Sequence, residues 1–171
     1  MSSTDPFTRV YNALWDVLEK HKGLTDLVKI GNRIKFTEEG FGLRPEKENV
    51  MDADFPELFL IPTNSQIVLF ATSSSTEAIQ EFELRFTTGD QRVDRLHFPL
   101  KWQVMIALSK CERLNLPFVK RLGIESFTET TDDPEANRGI KGWSARIVIS
   151  VEMYFGHTVL QGTDTRILEE I

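Results

Sequence analysis

The chain has a single cysteine, Cys111, so no internal disulfide can brace it, and a reducing compartment suits it. Long apolar runs are missing. Nothing approaches membrane-spanning length, and Met1 to Asp5 has neither the basic nor the apolar part of a signal peptide, so a cytosolic product is the expectation. A basic surplus is missing as well. The 20 lysines and arginines face 26 aspartates and glutamates, a formal charge of −6, whereas a dedicated nucleic-acid binder needs the opposite balance to neutralise phosphates. Catalytic signatures are scarce too. The histidines His21, His97 and His157 show no ligand spacing. Ser73, Ser74 and Ser75 lack the glycine-flanked elbow of hydrolases, and Gly40-Phe41-Gly42 lacks the third glycine of a phosphate cradle. Cys111 falls on an apolar helical stripe, where an inert buried thiol is expected. Asp52, Asp54 and Glu57, like Asp132, Asp133 and Glu135, lack the spacing of a calcium loop and read as solvated loop charge. Neither metal, cofactor nor enzymatic activity is expected.

What is present suffices for a core. With 171 residues and 40% hydrophobic content, residues 1–171 read as a single domain, with 156–171 as an extended tail. The strongest pattern runs from Gly142 to Phe155. Trp143, Ala145, Ile147, Ile149, Val151, Met153 and Phe155 alternate with Ser144, Arg146, Val148, Ser150, Glu152 and Tyr154, the period of a strand. At the usual rise this strand is roughly 40 Å long, and each large side chain on its apolar face contributes about 1.5–3 kcal/mol on burial. Such a face needs a cover.

Helices supply it. Asp5-Pro6 is a helix start, with Val10, Leu14, Val17, Leu18 and His21 at helical spacing and Gly23 as the expected stop. Leu24 to Lys29 predicts a short second helix, Gly31-Asn32 a turn, and Arg33 to Thr37 a first strand. Glu38 to Asp54 is charged and aperiodic, a partner-binding loop. Glu57 to Ile61 and Gln66 to Ala71 predict two strands joined at Pro62-Thr63-Asn64, each buried on both faces. Phe82, Leu84 and Phe86 alternate with Glu81, Glu83, Arg85 and Thr87 in an amphipathic strand. From Pro99, the residues Leu100, Val104, Ala107, Leu108 and Cys111, widened by Trp102, Met105 and Ile106, predict a buried helix. Val119 to Thr130 is a strand, joined by the turn-rich Thr131 to Gly142 to the long strand in an antiparallel hairpin. The expected fold is therefore α+β: a mixed, mainly antiparallel sheet with two principal helices packed on one face and a long C-terminal β-hairpin. Small basic spots, Arg33 with Lys35 and Lys120 with Arg121, suit either an acidic partner or plain solvation.

This order of elements resembles the tail terminator or tail completion proteins of tailed bacteriophages. The resemblance rests on Pro6 to His21, the break at Gly31-Asn32-Arg33-Ile34, the helix entered at Pro99-Leu100-Lys101-Trp102, and the closing Gly142-Trp143-Ser144-Ala145-Arg146-Ile147-Val148-Ile149, and it covers Pro6 to Phe155. It implies a minor structural protein of the virion tail, made in the host bacterial cytoplasm. There it forms a ring, typically hexameric or monomeric until it meets its tube, between the tail tube protein and the head-tail connector protein. No membrane and no specific nucleic acid are implied as partners. Arg33, Lys35, Asp132, Asp133, Glu135, Arg138 and Lys141 are the expected subunit or partner interface. Two other readings stand beside it. One is a small-molecule-binding domain or enzyme with a pocket lined by Trp102, Phe82, Phe86 and Trp143; the other is a head-tail connector or contractile injection-system subunit.

Overall fold

A computed structural model describes residues 5–35, 56–72, 74–90, 92–110, 112–130 and 142–156. The elements are α1 (Pro6–Glu19), α2 (Lys22–Thr25), β1 (Arg33–Lys35), β2 (Glu57–Thr72), β3 (Ser75–Thr87), α3 (Phe98–Ser109), β4 (Val119–Thr130) and β5 (Ser144–Gly156). A 3-10 turn at Ile30–Asn32 leads into β1, and a turn of π-helix at Val93–His97 leads into α3. The strands form one sheet in the order β1-β2-β3-β5-β4. Only β1 and β2 run parallel; the other neighbours are antiparallel. The chain is thus α+β with a mixed, mainly antiparallel sheet.

The 13-residue β5 lies inside the sheet, paired on one side with β3 and on the other with β4. Ala145, Ile147, Ile149, Val151, Met153 and Phe155 are all buried on the face that the helices cover, as the alternation predicts, while Ser144 and Ser150 of the other face are buried as well. On β3, Ala78, Phe82, Leu84 and Phe86 extend that face. Across it lie Val10, Tyr11, Leu14, Trp15 and Leu18 of α1 and Leu100, Val104, Ala107 and Leu108 of α3, in one continuous core. α1 starts as its sequence dictates, with the Asp5 carboxylate accepting from the Thr8 amide at 2.8 Å. It is fixed to the sheet by Tyr11, whose hydroxyl donates to the Leu60 carbonyl at 2.7 Å while its ring meets Phe82.

Several expectations are corrected. β2 is one 16-residue strand, not two. Proline interrupts a ladder because it has no N–H, and the register with β3 shifts between Pro62 and Asn64; there the buried Gln80 side chain donates to the Asn64 carbonyl at 2.9 Å, so the strand passes through the irregularity without breaking. Its distal half is not buried on both faces either, since Ile67, Val68 and Leu69 are exposed. Gly23 does not stop α1, which ends at Glu19; it lies within α2, itself shorter and earlier than Leu24 to Lys29. A Cβ on Gly23 would come within 1.9 Å of Gln103 Oε1, so the glycine makes room for that amide. Nor is α3 wholly buried: Phe98, Trp102 and Met105 form an exposed stripe, with Trp102 60% accessible. Thr87, expected on the solvated face of β3, is buried. The long β5 is an interior strand, which leaves β4 and the β1/β2 side as the sheet's flanks.

Candidate functional site

Strand register aligns the described residues that flank the 131–141 segment with the start of β2 at one end of the sheet. Thr130 opposes Ser144, Ser144 opposes Thr87, and Thr87 opposes Glu57, giving a transverse row from β4 to β2. The 131–141 segment connects β4 and β5 at this row, and the 36–55 segment returns to it at Pro56. Asp132, Asp133, Glu135, Arg138 and Lys141 themselves lie outside the described residues, as do Cys111, His157 and the acidic pair Asp52 and Asp54. Arg33 opens β1 opposite Leu58, and Lys35 closes it opposite Leu60. The Arg33 Nε is buried and makes no hydrogen bond. Lys120 and Arg121 are not a free basic spot: Lys120 donates to Glu77 at 3.2 Å and Arg121 to Glu152 at 2.6 Å, both within the sheet. Trp102, Phe82, Phe86 and Trp143 do not line one pocket, because Phe82 and Phe86 are sealed in the core while Trp102 faces solvent.

Below the row lies a cluster that no local pattern announces. His97, 1% exposed, sits against the rings of Phe86, Phe98 and Trp143 with centroids 5.4, 6.0 and 5.5 Å away. Its Nε2 is 3.0 Å from Glu129 Oε1, which also accepts from Lys101 Nζ at 2.9 Å. The carboxylate is an acceptor, so Nε2 carries the proton, and the buried Nδ1 has no hydrogen-bond partner. Lys101 lies 4.4 Å from the centre of the Phe127 ring. This cluster ties α3 to β4 beside the 131–141 segment. Burial among aromatic rings holds His97 below its ordinary value of 6.5, outweighing the opposite pull of Glu129. Burial raises the Glu129 carboxyl, but the Lys101 and His97 hydrogen bonds more than offset it, so it titrates below its ordinary 4.5.

Both shifts make acid destabilising, in two windows. Above pH 6.5 His97 is neutral whether folded or not; below it the unfolded chain takes up a proton that the fold resists, so stability falls as pH drops from there. The Glu129 contribution is intact above pH 4.5 and is lost as pH falls below it. The melting temperature is therefore expected to decline as the pH falls below about 6.5, and His97→Gln should flatten that decline whatever it does to stability at pH 8. Melting curves of both proteins across this range test it, and an unchanged slope in the variant would rule out His97 as the source.

No family model and no curated protein matches the chain. Among the described residues no helix is long and apolar enough to cross a membrane, and no group of three or more His, Cys, Asp or Glu gathers to hold a metal ion.

Proposed function

We propose that this protein is a structural assembly subunit that caps the tail tube of a tailed bacteriophage as a ring and presents the joining surface to the head connector. The observation that carries this reading is the amount of apolar surface left uncovered. Residues Ile61 to Thr72 of β2 are uncharged throughout, and Ile67, Val68 and Leu69 on that stretch are exposed, Leu69 at 64%. The Phe98, Trp102 and Met105 stripe adds large side chains on another element. Exposed apolar groups of this size on a charged protein suit contact with other subunits. The end row supports the same role: β4 ends and β5 begins there on either side of the 131–141 segment, whose Asp132, Asp133, Glu135, Arg138 and Lys141 bring both signs of charge for steering against neighbours. In this reading the partners are further copies of the chain, the tail tube protein and the connector protein, and the location is the virion tail.

The test is capping of preformed tail tubes by the purified protein, viewed by negative staining. Deletion of Asp133 to Arg138 is expected to leave the circular dichroism spectrum and melting nearly unchanged, yet to abolish ring formation or tube-end binding. Intact protein that neither forms rings nor binds tube ends would overturn the assembly role. A deletion that still caps would remove the 131–141 segment from the interface.

A further inference from the structure

A second polar cluster lies where the α1–α2 junction meets α3. His21 is 9% exposed and links three helical segments: its Nε2 lies 2.7 Å from Gln103 Oε1 on α3, and its Nδ1 lies 2.8 Å from Lys110 Nζ just beyond α3. An ammonium can only donate, so Nδ1 accepts and Nε2–H donates to the amide oxygen. The result is a lysine whose head is fixed in place by a nearly buried ring, with two N–H donors left to point elsewhere.

Lys110 stands at the side of a groove of about 340 Å³ between α1 and the turn after α3. Ala13, Val17 and Leu114 supply apolar wall, and Lys20 and Asp16 complete the rim, paired with each other at 2.9 Å. The turn is unusual. The Leu116 amide donates to the Arg113 carbonyl at 2.9 Å around Leu114 and Asn115, whose φ angles are 53° and 54°. Two consecutive left-handed residues make a turn that glycine and asparagine tolerate, while a leucine there costs roughly 1–2 kcal/mol of backbone strain. Burial of the Leu114 side chain offsets that cost, and the consequence is local: the strained pair forms one wall of the groove, opposite α1.

The geometry points to a binding site for a small monocarboxylate with a short apolar body. The volume lies at the lower end of ligand sites, which favours a small ligand over an extended one. Two lysines against the single carboxylate of Asp16 leave one positive charge uncompensated, which a monoanion balances and a dianion overshoots. The apolar wall suits a hydrocarbon chain and gives a divalent inorganic anion nothing to replace its hydration. The carboxylate would meet Lys110, held by His21, with Lys20 as the looser second cation. This site does not depend on the tube-capping role, and either can fail alone.

Methyl-labelled protein titrated with butyrate provides the test, with butylamine and inorganic phosphate as comparison probes. Butyrate is expected to shift the Ala13, Val17 and Leu114 methyl signals saturably, butylamine to leave them in place, and phosphate to bind more weakly. Lys110→Gln should weaken butyrate about tenfold, and Asp16→Asn, which frees Lys20, should strengthen it. Both residues are on the surface, so melting temperatures should stay close to that of the parent, and Lys20→Gln provides a smaller loss if Lys110→Gln is perturbed. Absence of saturable shifts, equal binding of phosphate, or equal butyrate affinity in both lysine variants would overturn the site.

Discussion

Replacing Ile149 with aspartate is expected to leave the protein unfolded or insoluble at room temperature. Ile149 is completely buried on the helix-covered face of β5, with Phe82 of β3 opposite on one side and Ile124 of β4 on the other. A carboxylate there has no cationic partner in the core, and burying an unpaired charge is among the few single changes that cost more than about 4 kcal/mol. Total stability for a domain of this kind is about 5–15 kcal/mol, so most of it goes. The neighbouring residue supplies the control. Val148 points to the opposite, partly open face, and Val148→Asp should fold with a modest loss, since its carboxylate keeps contact with water. Soluble expression and thermal melts of the two variants decide the matter. An Ile149→Asp protein that melts where the parent does would mean that the two faces of β5 are assigned the wrong way round.

Gly142→Ala is the second large effect, and it comes from backbone meeting backbone. A Cβ on Gly142 would lie 2.6 Å from the Cα and 2.7 Å from the amide nitrogen of Gly89, far inside van der Waals contact. Neither atom belongs to a side chain that can rotate away. Gly89 is itself held at φ 68°, a left-handed conformation that a larger residue enters only at a cost. The adjoining chains are also stitched together, with the Thr88 amide donating to the Trp143 carbonyl at 2.9 Å, so separating them breaks hydrogen bonds as well as relieving the clash. Overpacking of this kind costs about 1–3 kcal/mol or somewhat more, which lowers the melting temperature of a domain this size by roughly 3–10 °C. Gly31→Ala is the comparison, because nothing lies within 4 Å of a Cβ added there. It should melt within about a degree or two of the parent. Equal melting temperatures for the two alanine variants would show that the Gly89 and Gly142 backbones can part without loss.

These predictions also mark how far the sequence could be read. The alternation in β5 was legible because one cover, the helices, buries every apolar side chain from Ala145 to Phe155 on one face, so composition and position agree on that face. The same logic found β3, β4, the Asp5 cap and the two main helices. It misread β2 because Pro62 looks like a strand end, whereas its missing N–H falls at a register shift that Gln80 bridges from β3, a contact between residues well apart in the chain. It misread α3 because a helix apolar on all sides has no period to show which stripe meets the sheet; the sheet takes Leu100, Val104, Ala107 and Leu108 and leaves Trp102 out. Gly23 looked like a helix stop for the usual reason, but its role depends on Gln103, eighty residues away. The polar clusters were not legible at all. His97 and Glu129 are 32 positions apart, and His21 is 82 from Gln103 and 89 from Lys110, so only the folded chain puts each set within hydrogen-bond reach.

The place of β5 in the sheet has a consequence for how the protein is made. β3 and β4 share no backbone pairing and meet through the Lys120–Glu77 side-chain contact; for its ladder each waits for the same strand, which follows both of them in the chain. During synthesis α1, the β2–β3 hairpin and α3 can all leave the ribosome while Phe82, Leu84 and Phe86 still lack the neighbour that completes their layer. Until Ser144 to Gly156 emerges, β3 therefore presents an open strand edge and β4 has nothing to pair with. Closing the sheet requires insertion between two waiting strands, a non-local step that is slow compared with hairpin formation. The nascent chain is most exposed to mispairing with other copies in that interval, and its yield should depend on how quickly the last strand is delivered.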